Sequence, residues 1–334
     1  MKILFFYNEE WEKDYFSQKI GTDFEIKFVK GVLQEHSDLR DEDAEILSVF
    51  VGSQITAEAL DRFPNLKLIA TRSTGFDHID IEEAKKRGIL VSTVPEYGSR
   101  TVAEFAFALL LAISRKIFPA YDQILRTGSF SKEGLRGFDL AGKTLGVIGV
   151  GKIGKNIIKI AQGFDLTVVA FDRHPEAEYA TKMGFEYLSL EDLLGVADII
   201  SLHLPYNSET HHLINKNNIG KIKKGAVLIN TSRGGIIETA ALVDALKDGT
   251  LAGAGLDVLE AEIYMGNELA LLRNERSTTE DLETVLHNQY LIDNPNVIIT
   301  PHNAFNTQEA VERIFDTTAE NIRYFAEGNA QNEV

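Results

Sequence analysis

"KTLGVIGVGKIGKNIIKIAQGFDLTVVAFDRH", residues 143–174, runs from an apolar strand through a glycine-rich turn into a helix, then into a second apolar strand. Gly149, Gly151 and Gly154 stand in G-x-G-x-x-G spacing. Glycine is common and the spacing alone is weak, but strand before and helix after are what a dinucleotide site needs. Gly149 allows the tight turn, Gly151 leaves room for a pyrophosphate, and Gly154 lets helix pack on strand. The N–H groups opening the helix then face the phosphates. Asp172 closes the second strand at the fingerprint's spacing of about 20 residues, where a carboxylate accepts from ribose hydroxyls and repels a 2′-phosphate. NAD is therefore expected over NADP, with Arg173 beside it as the contrary feature. The plain structural alternative is a glycine-rich turn with no ligand.

Outward from this window the same alternation fills the chain. Candidate strands are Ile3–Tyr7, Phe24–Val29, Ile46–Val51, Leu66–Ala70, Leu90–Thr93, Thr144–Ile148, Thr167–Phe171, Ile199–His203, Ala226–Asn230, Ala252–Asp257 and Val297–Thr300. Helical patterns fall between many of them, as at Ala57–Phe63, Lys152–Gln162 and Ala240–Asp248. Strand, helix, strand with short connections predicts an α/β protein: parallel sheets with helices on both faces. No fixed-period repeat is visible. Thr101–Arg126 is apolar on most sides in its first half and predicts a buried helix, either at a domain or subunit interface or in an ordinary core.

A chain of 334 residues is too long for one small core and predicts two domains. With 44% apolar and 25% charged residues it has the profile of a soluble globular protein. A net charge of −16 disfavours nucleic acid and anionic membrane as partners, while leaving room for a local cation to hold a small anion. The absence of cysteine excludes disulfides, thiolate nucleophiles and cysteine-based zinc sites. The start carries no signal-peptide pattern, and Phe105–Ile113 is too short to span a membrane, so a cytoplasmic protein is expected.

Three segments end strands on the carboxyl edge predicted for the sheet, where open α/β folds bind ligands. They are "LINTSRGG" with Arg233, "AGLDVLEAE" with Asp257, Glu260 and Glu262, and "ITPHNAF" with His302. An arginine fork grips a carboxylate bidentately, and a histidine paired with a glutamate can donate and accept protons near neutral pH. Taken singly, Arg233 reads as a surface ion pair, Glu262 as a solvated acid and His302 as a turn residue. Together, beyond a dinucleotide fingerprint, they read as a catalytic set.

The chain resembles the D-2-hydroxyacid dehydrogenases, most closely their D-lactate dehydrogenase branch. The likeness runs through "RSTGFDHID" (72–80), "VPEYGSRTVAE" (94–104), "GVIGVGKIG" (146–154), "SLHLPYNSETHHLIN" (201–215), "INTSRGGIIE" (229–238), "GLDVLEAE" (255–262) and "TPHNAF" (300–305), in that order. It implies reduction of a 2-oxo acid by NADH. His302 would protonate the carbonyl oxygen, Glu262 would favour its cationic form, and Arg233 would bind the carboxylate and polarise the carbonyl. The backbone N–H groups of Thr74 and Gly75 complete the implied clamp, Tyr97 supports it, and Phe50 and Phe305 form walls for the substrate side chain. For the cofactor, the resemblance implies Lys152 and Ile153 at the helix start, Asp172 at the ribose, and Leu204, Pro205 and Thr210 on the adenine side. Thr231, Ser232, Arg233 and Asp257 would lie near the nicotinamide, with His203 beside the cofactor. Glu262, not Glu260, has the family's spacing from Asp257.

The resemblance also implies a flavodoxin-like substrate domain, residues 1–98 with 300–334, into which a Rossmann NAD domain, 99–299, is inserted. The helix Gln308–Ala326 would rejoin the substrate domain, closure would hinge at the two crossings, and the helix from Thr101 would form a homodimer contact. Two departures stand out. Ile263 replaces the proline usual in the glycerate branches, and a long polar segment, "MGNELALLRNERSTTEDLETVLHNQ", precedes His302. The first favours D-lactate; the second bears on the cleft mouth and substrate size. The alternatives are a glyoxylate or hydroxypyruvate reductase of the same family and an NAD-sensing binding protein such as the corepressors that share the fold.

Overall fold

Two sheets carry the architecture, and every strand pairing in them is parallel. The computed structural model describes residues 1–265 and 278–334. The first half of the polar segment expected to shape the cleft mouth falls on residues 266–277, outside the described residues; its second half lies in the helix Thr279–Asp293. By contacts the chain divides into two compact units, Met1–Gly98 with Asn306–Val334, and Ser99–Phe305. The return crossing thus falls after Phe305 and not at residue 300, because the backbone of 300–304 is tied to the second sheet through Asp257.

In the first unit, β1 (Lys2–Tyr7), β2 (Glu25–Lys30), β3 (Ile46–Val49), β4 (Leu68–Thr71) and β5 (Leu90–Ser92) lie in the order β2-β1-β3-β4-β5. That is the flavodoxin-like order. β3 and β4 are buried along their whole length, as expected of parallel strands covered on both faces. The helix Gln308–Ala326 returns to this unit and packs Phe315, Ala319 and Ile322 with Ile3, Phe5 and Phe16. Thr307 starts it by accepting a hydrogen bond from the N–H of Ala310 at 3.3 Å.

In the second unit, β6 (Thr144–Ile148), β7 (Thr167–Phe171), β8 (Glu186–Tyr187), β9 (Ile199–Leu202), β10 (Ala226–Asn230), β11 (Leu251–Leu256) and β12 (Val297–Ile299) form the order β12-β11-β10-β9-β6-β7-β8. The order reverses at β6 and β9, which places a switch-point crevice at the ends of those strands. β8 has two residues, too few for any periodicity to announce.

The apolar stretch from Thr101 divides into helices Ser99–Ser114 and Ile117–Thr127, broken at Lys116 with φ +53°. The first is a core helix: Ala106, Phe107, Leu110 and Ile113 pack with Leu145, Val147, Ile157 and Ile229. Its apolar side packs inside its own unit, as in an ordinary core helix. The exposed apolar surface belongs to the next helix and the turn beyond it, at Phe118, Tyr121, Leu125 and Phe130, the last 85% exposed. Among the described residues no helix is long and apolar enough to cross a membrane.

Candidate active site

His302 and Glu262 meet. The Nδ1 atom of His302 lies 2.9 Å from Oε1 of Glu262, and the other oxygen of Glu262 accepts from the N–H of Leu259 at 3.2 Å. β12 ends at Ile299, and beyond Thr300 and Pro301 His302 takes φ +50°, a left-handed conformation uncommon outside glycine. Asp257, at the end of β11, imposes that turn. Its Oδ1 accepts from Thr300 Oγ1 at 2.5 Å and the Asn303 N–H at 2.8 Å, and its Oδ2 from the Ala304 N–H at 2.8 Å. Its carbonyl accepts from the His302 N–H at 2.8 Å. Burial pushes the Asp257 carboxyl up, against the opposing pull of the hydrogen bonds from Thr300, Asn303 and Ala304. The acid expected near the nicotinamide is thus the staple that shapes the histidine turn.

Arg233 leaves β10 on a second turn. Asn230 holds that turn from both sides: its Nδ2 donates to the Arg233 carbonyl at 2.9 Å and its Oδ1 accepts from the Ser232 N–H at 3.0 Å. Ser232 Oγ donates to the Leu202 carbonyl at 2.6 Å, tying the turn to β9. The half-buried Arg233 donates from Nη1 to the Ser232 carbonyl at 2.8 Å. Gly234 must be glycine, because a Cβ there would overlap the backbone of Leu259 and Glu260. The Arg233 turn and the Glu262 turn are therefore in direct contact.

The fingerprint turn fits a dinucleotide. Gly149 has φ +95° and a Cβ on it would strike the His203 carbonyl, so the turns after β6 and β9 touch. A Cβ on Gly151 would meet nothing within 4 Å: the backbone there faces open space. Gly154 presses on the Gly149 carbonyl. The helix Lys152–Gly163, which carries Ile153 in its first turn, opens without a side-chain cap, leaving its N-terminus available to an anion. Asp172 Oδ2 accepts from the Val150 N–H at 2.7 Å and Oδ1 from the His174 N–H at 2.8 Å, which sets the carboxylate against this turn with lone pairs to spare. Arg173 is ion-paired with Glu209. Leu204 and Pro205 follow β9, and Thr210 Oγ1 closes their loop by donating to the Pro205 carbonyl at 2.7 Å. His203 is buried, its Nε2 2.8 Å from Ser201 Oγ, and burial pulls the imidazole down to about 3, so it is neutral. Its Nδ1 and the hydroxyl of Thr231 are buried polar atoms without a partner among the described residues. Orphans of this kind suit a polar ligand.

Of the remaining substrate candidates, all but Phe305 belong to the first unit. Thr74 and Gly75 follow β4; Thr74 Oγ1 donates to the Val94 carbonyl at 2.7 Å and Ser73 Oγ to the Gly75 carbonyl at 2.6 Å. Among the described residues neither the Thr74 nor the Gly75 N–H has an acceptor. Phe50 follows β3 and is half-buried; Tyr97 is half-buried, and its carbonyl accepts from Arg313 Nε at 2.7 Å. Phe305, also half-buried, ends the second unit.

Sequence reasoning missed the residues that aim the others. Asn230 and Thr300 look like ordinary polar residues in a strand and its exit. Only their place at strand ends on either side of β11 makes them brackets for Arg233 and His302. Among the described residues no group of histidines and acids could hold a metal ion.

A family model described as D-isomer specific 2-hydroxyacid dehydrogenase, NAD binding domain, matches residues 107–304. The chain is 39% identical over 306 residues to a glyoxylate reductase of Thermococcus litoralis, covering 90% of this chain and 84% of that one. It is 36% identical over 332 residues to a D-lactate dehydrogenase of Escherichia coli, covering 98% of each. Among solved structures, D-lactate dehydrogenase from Aquifex aeolicus, complexed with NAD and lactic acid, superposes with a TM-score of 0.85 at 35% identity. That match covers 98% of this chain and 96% of the other.

Proposed function

Because the chain belongs to the D-isomer specific 2-hydroxyacid dehydrogenase family and takes NAD as its cofactor, we propose that it reduces pyruvate to D-lactate with His302 as the acid. The observation that carries this reading is the 2.9 Å bond between His302 Nδ1 and Glu262 Oε1. With Nδ1 engaged by the carboxylate, Nε2 is the nitrogen left to serve the substrate. Bound NADH supplies the hydride that adds to the carbonyl carbon. His302 gives its Nε2 proton to the carbonyl oxygen and is left neutral, to be recharged from solvent. Arg233 holds the substrate carboxylate through its fork and polarises the carbonyl. The N–H groups of Thr74 and Gly75 and the side chains of Tyr97, Phe50 and Phe305 form the rest of the proposed substrate site, on the strength of the family resemblance.

Pyruvate is favoured by Ile263 standing where the glycerate branches carry proline. The second reading, a glyoxylate reductase, is favoured by the relative of that name at 39% identity. NADH oxidation measured across pyruvate, 2-oxobutyrate, phenylpyruvate, hydroxypyruvate and glyoxylate separates them. The highest kcat/KM on pyruvate is expected; a preference for glyoxylate would replace the first reading with the second, and no turnover on any would point to an NAD-sensing binding protein. We further propose a homodimer, with the exposed Phe118, Tyr121 and Leu125 as the face it buries.

A further inference from the structure

Glu260 does not point toward His302; it is bound elsewhere. Its Oε1 lies 2.7 Å from Nε2 of His212, and its Oε2 accepts from Thr239 Oγ1 at 2.7 Å and the Thr239 N–H at 3.3 Å. The Glu260 carbonyl accepts from Asn288 Nδ2 at 2.8 Å. Ala261, between the two acids, has φ +56°, so the chain reverses and sends Glu260 and Glu262 to different partners.

His212 is the other half of a three-way junction. It lies on the loop after β9, which also carries Pro205 and Thr210. Its N–H donates to the Gly235 carbonyl at 2.8 Å, two residues after Arg233, and its ring reaches Glu260, two residues before Glu262. One residue thus binds the cofactor loop, the arginine turn and the glutamate turn together. Its φ is +47°, an arrangement a histidine keeps only where its surroundings over-determine it. The ring of His211 stacks on it at 3.8 Å, and Tyr206 Oη lies 3.0 Å from His211 Nδ1. Both members of the pair are about one-fifth exposed, so solvent screens the contact less than at a surface pair.

We infer that His212 and Glu260 are positioning residues: their bond fixes the turn that presents Glu262 to His302, in register with the turn that presents Arg233. The inference rests on the acid role of His302 given above. Among the described residues, the carboxylates acting on His302 are Glu262 and Asp257. Loosening the Glu260 anchor lets the Glu262 carboxylate drift from Nδ1 and weakens its hold on the imidazolium.

The test is His212→Asn. Asparagine tolerates the left-handed backbone, yet its amide is too short to reach Glu260. The expected result is a kcat lower by about 10- to 100-fold, the scale of a displaced catalytic group. The KM for pyruvate and the NADH affinity should both stay within about twofold. His212→Gln, whose amide reaches as far as Nε2, should restore kcat. In a double-mutant cycle with Glu260→Ala the combined loss should equal that of Glu260→Ala alone, because His212 then has no carboxylate left to hold. Multiplying losses, or an unchanged kcat in His212→Asn, would overturn the inference. If His212→Asn does not fold, Glu260→Ala alone must lower kcat with KM held, and failure to do so is equally fatal. Glu262→Gln is the control: if it leaves kcat unchanged, the acid role of His302 fails and not merely the positioning role.

Discussion

Glu262 binds the ring of His302 through Oε1 and its own turn through Oε2, so the carboxylate that orients the imidazole is itself fixed from behind. Glu262→Gln keeps the shape and removes the charge. It should lower kcat for pyruvate reduction by about 10- to 100-fold, the cost of losing the carboxylate that orients a working histidine. His302→Ala should lower kcat by about 10²- to 10⁴-fold, the cost of losing a positioned acid. NADH binding, followed by fluorescence, should survive both changes.

Arg233 presents a planar fork where a lysine would present a point charge. Arg233→Lys should lower kcat/KM for pyruvate by about 10²-fold or more, since bidentate geometry is lost with the charge retained. Wild-type kinetics in this variant would show that the substrate carboxylate is held elsewhere.

Arg173, next to Asp172, is a cation that could receive a 2′-phosphate, and Glu209 occupies it. A clear preference for NADH over NADPH is expected. Asp172→Ser should narrow the ratio of kcat/KM values, and adding Glu209→Gln should narrow it further by releasing Arg173. Equal use of the two cofactors by the unaltered protein would contradict the role given to Asp172.

His203 is buried as the neutral ring, its imidazole drawn from the usual 6.5 to about 3. A group depressed in this way stabilises the fold above its unfolded value, and that stability is lost as pH falls from about 6.5 toward 3. The unfolded chain binds the extra proton, so unfolding free energy should fall by up to about 1.4 kcal/mol per pH unit from this site. Urea unfolding at about pH 4.5 and 5.5 should show about one proton less of linkage in His203→Gln than in the unaltered protein.

Phe118, Tyr121 and Leu125 lie exposed on one short helix. Leu125→Lys should shift the sedimentation of the proposed dimer toward the monomer, while Leu109→Lys, inside the core of the second unit, should instead unfold that unit. An unaltered protein that sediments as a monomer would remove the dimer from the proposal.

Much of the fold was legible because parallel strands buried on both faces are uninterrupted apolar runs, as at Ile46–Val49 and Ala226–Asn230. β8 was not, since its two residues sit at an edge where burial imposes no pattern. Gly149, Gly151 and Gly154 were readable because their constraint is steric and local. The work of Asp257 and Glu260 was hidden because each acts on residues far along the chain, and only the order β12-β11-β10-β9 brings those residues alongside. The helix break at Lys116 was equally hidden: Arg115 and Lys116 satisfy helical patterning, and the turn shows only in the backbone.

The pairing of β11 with β12, through Ala254 with Val297 and Leu256 with Ile299, joins strands separated by a long excursion of chain. Asp257 then reaches across that junction to grip Asn303 and Ala304. His302, the proposed proton donor, is thus registered to the sheet itself, as a bolt is to a frame, through Asp257 and not through the segment that joins the two strands. Insertions in that segment that spare Asn288, which holds the Glu260 carbonyl, would leave the imidazole aimed as before. A scaffold so divided can revise what it admits while leaving untouched the turn that carries His302.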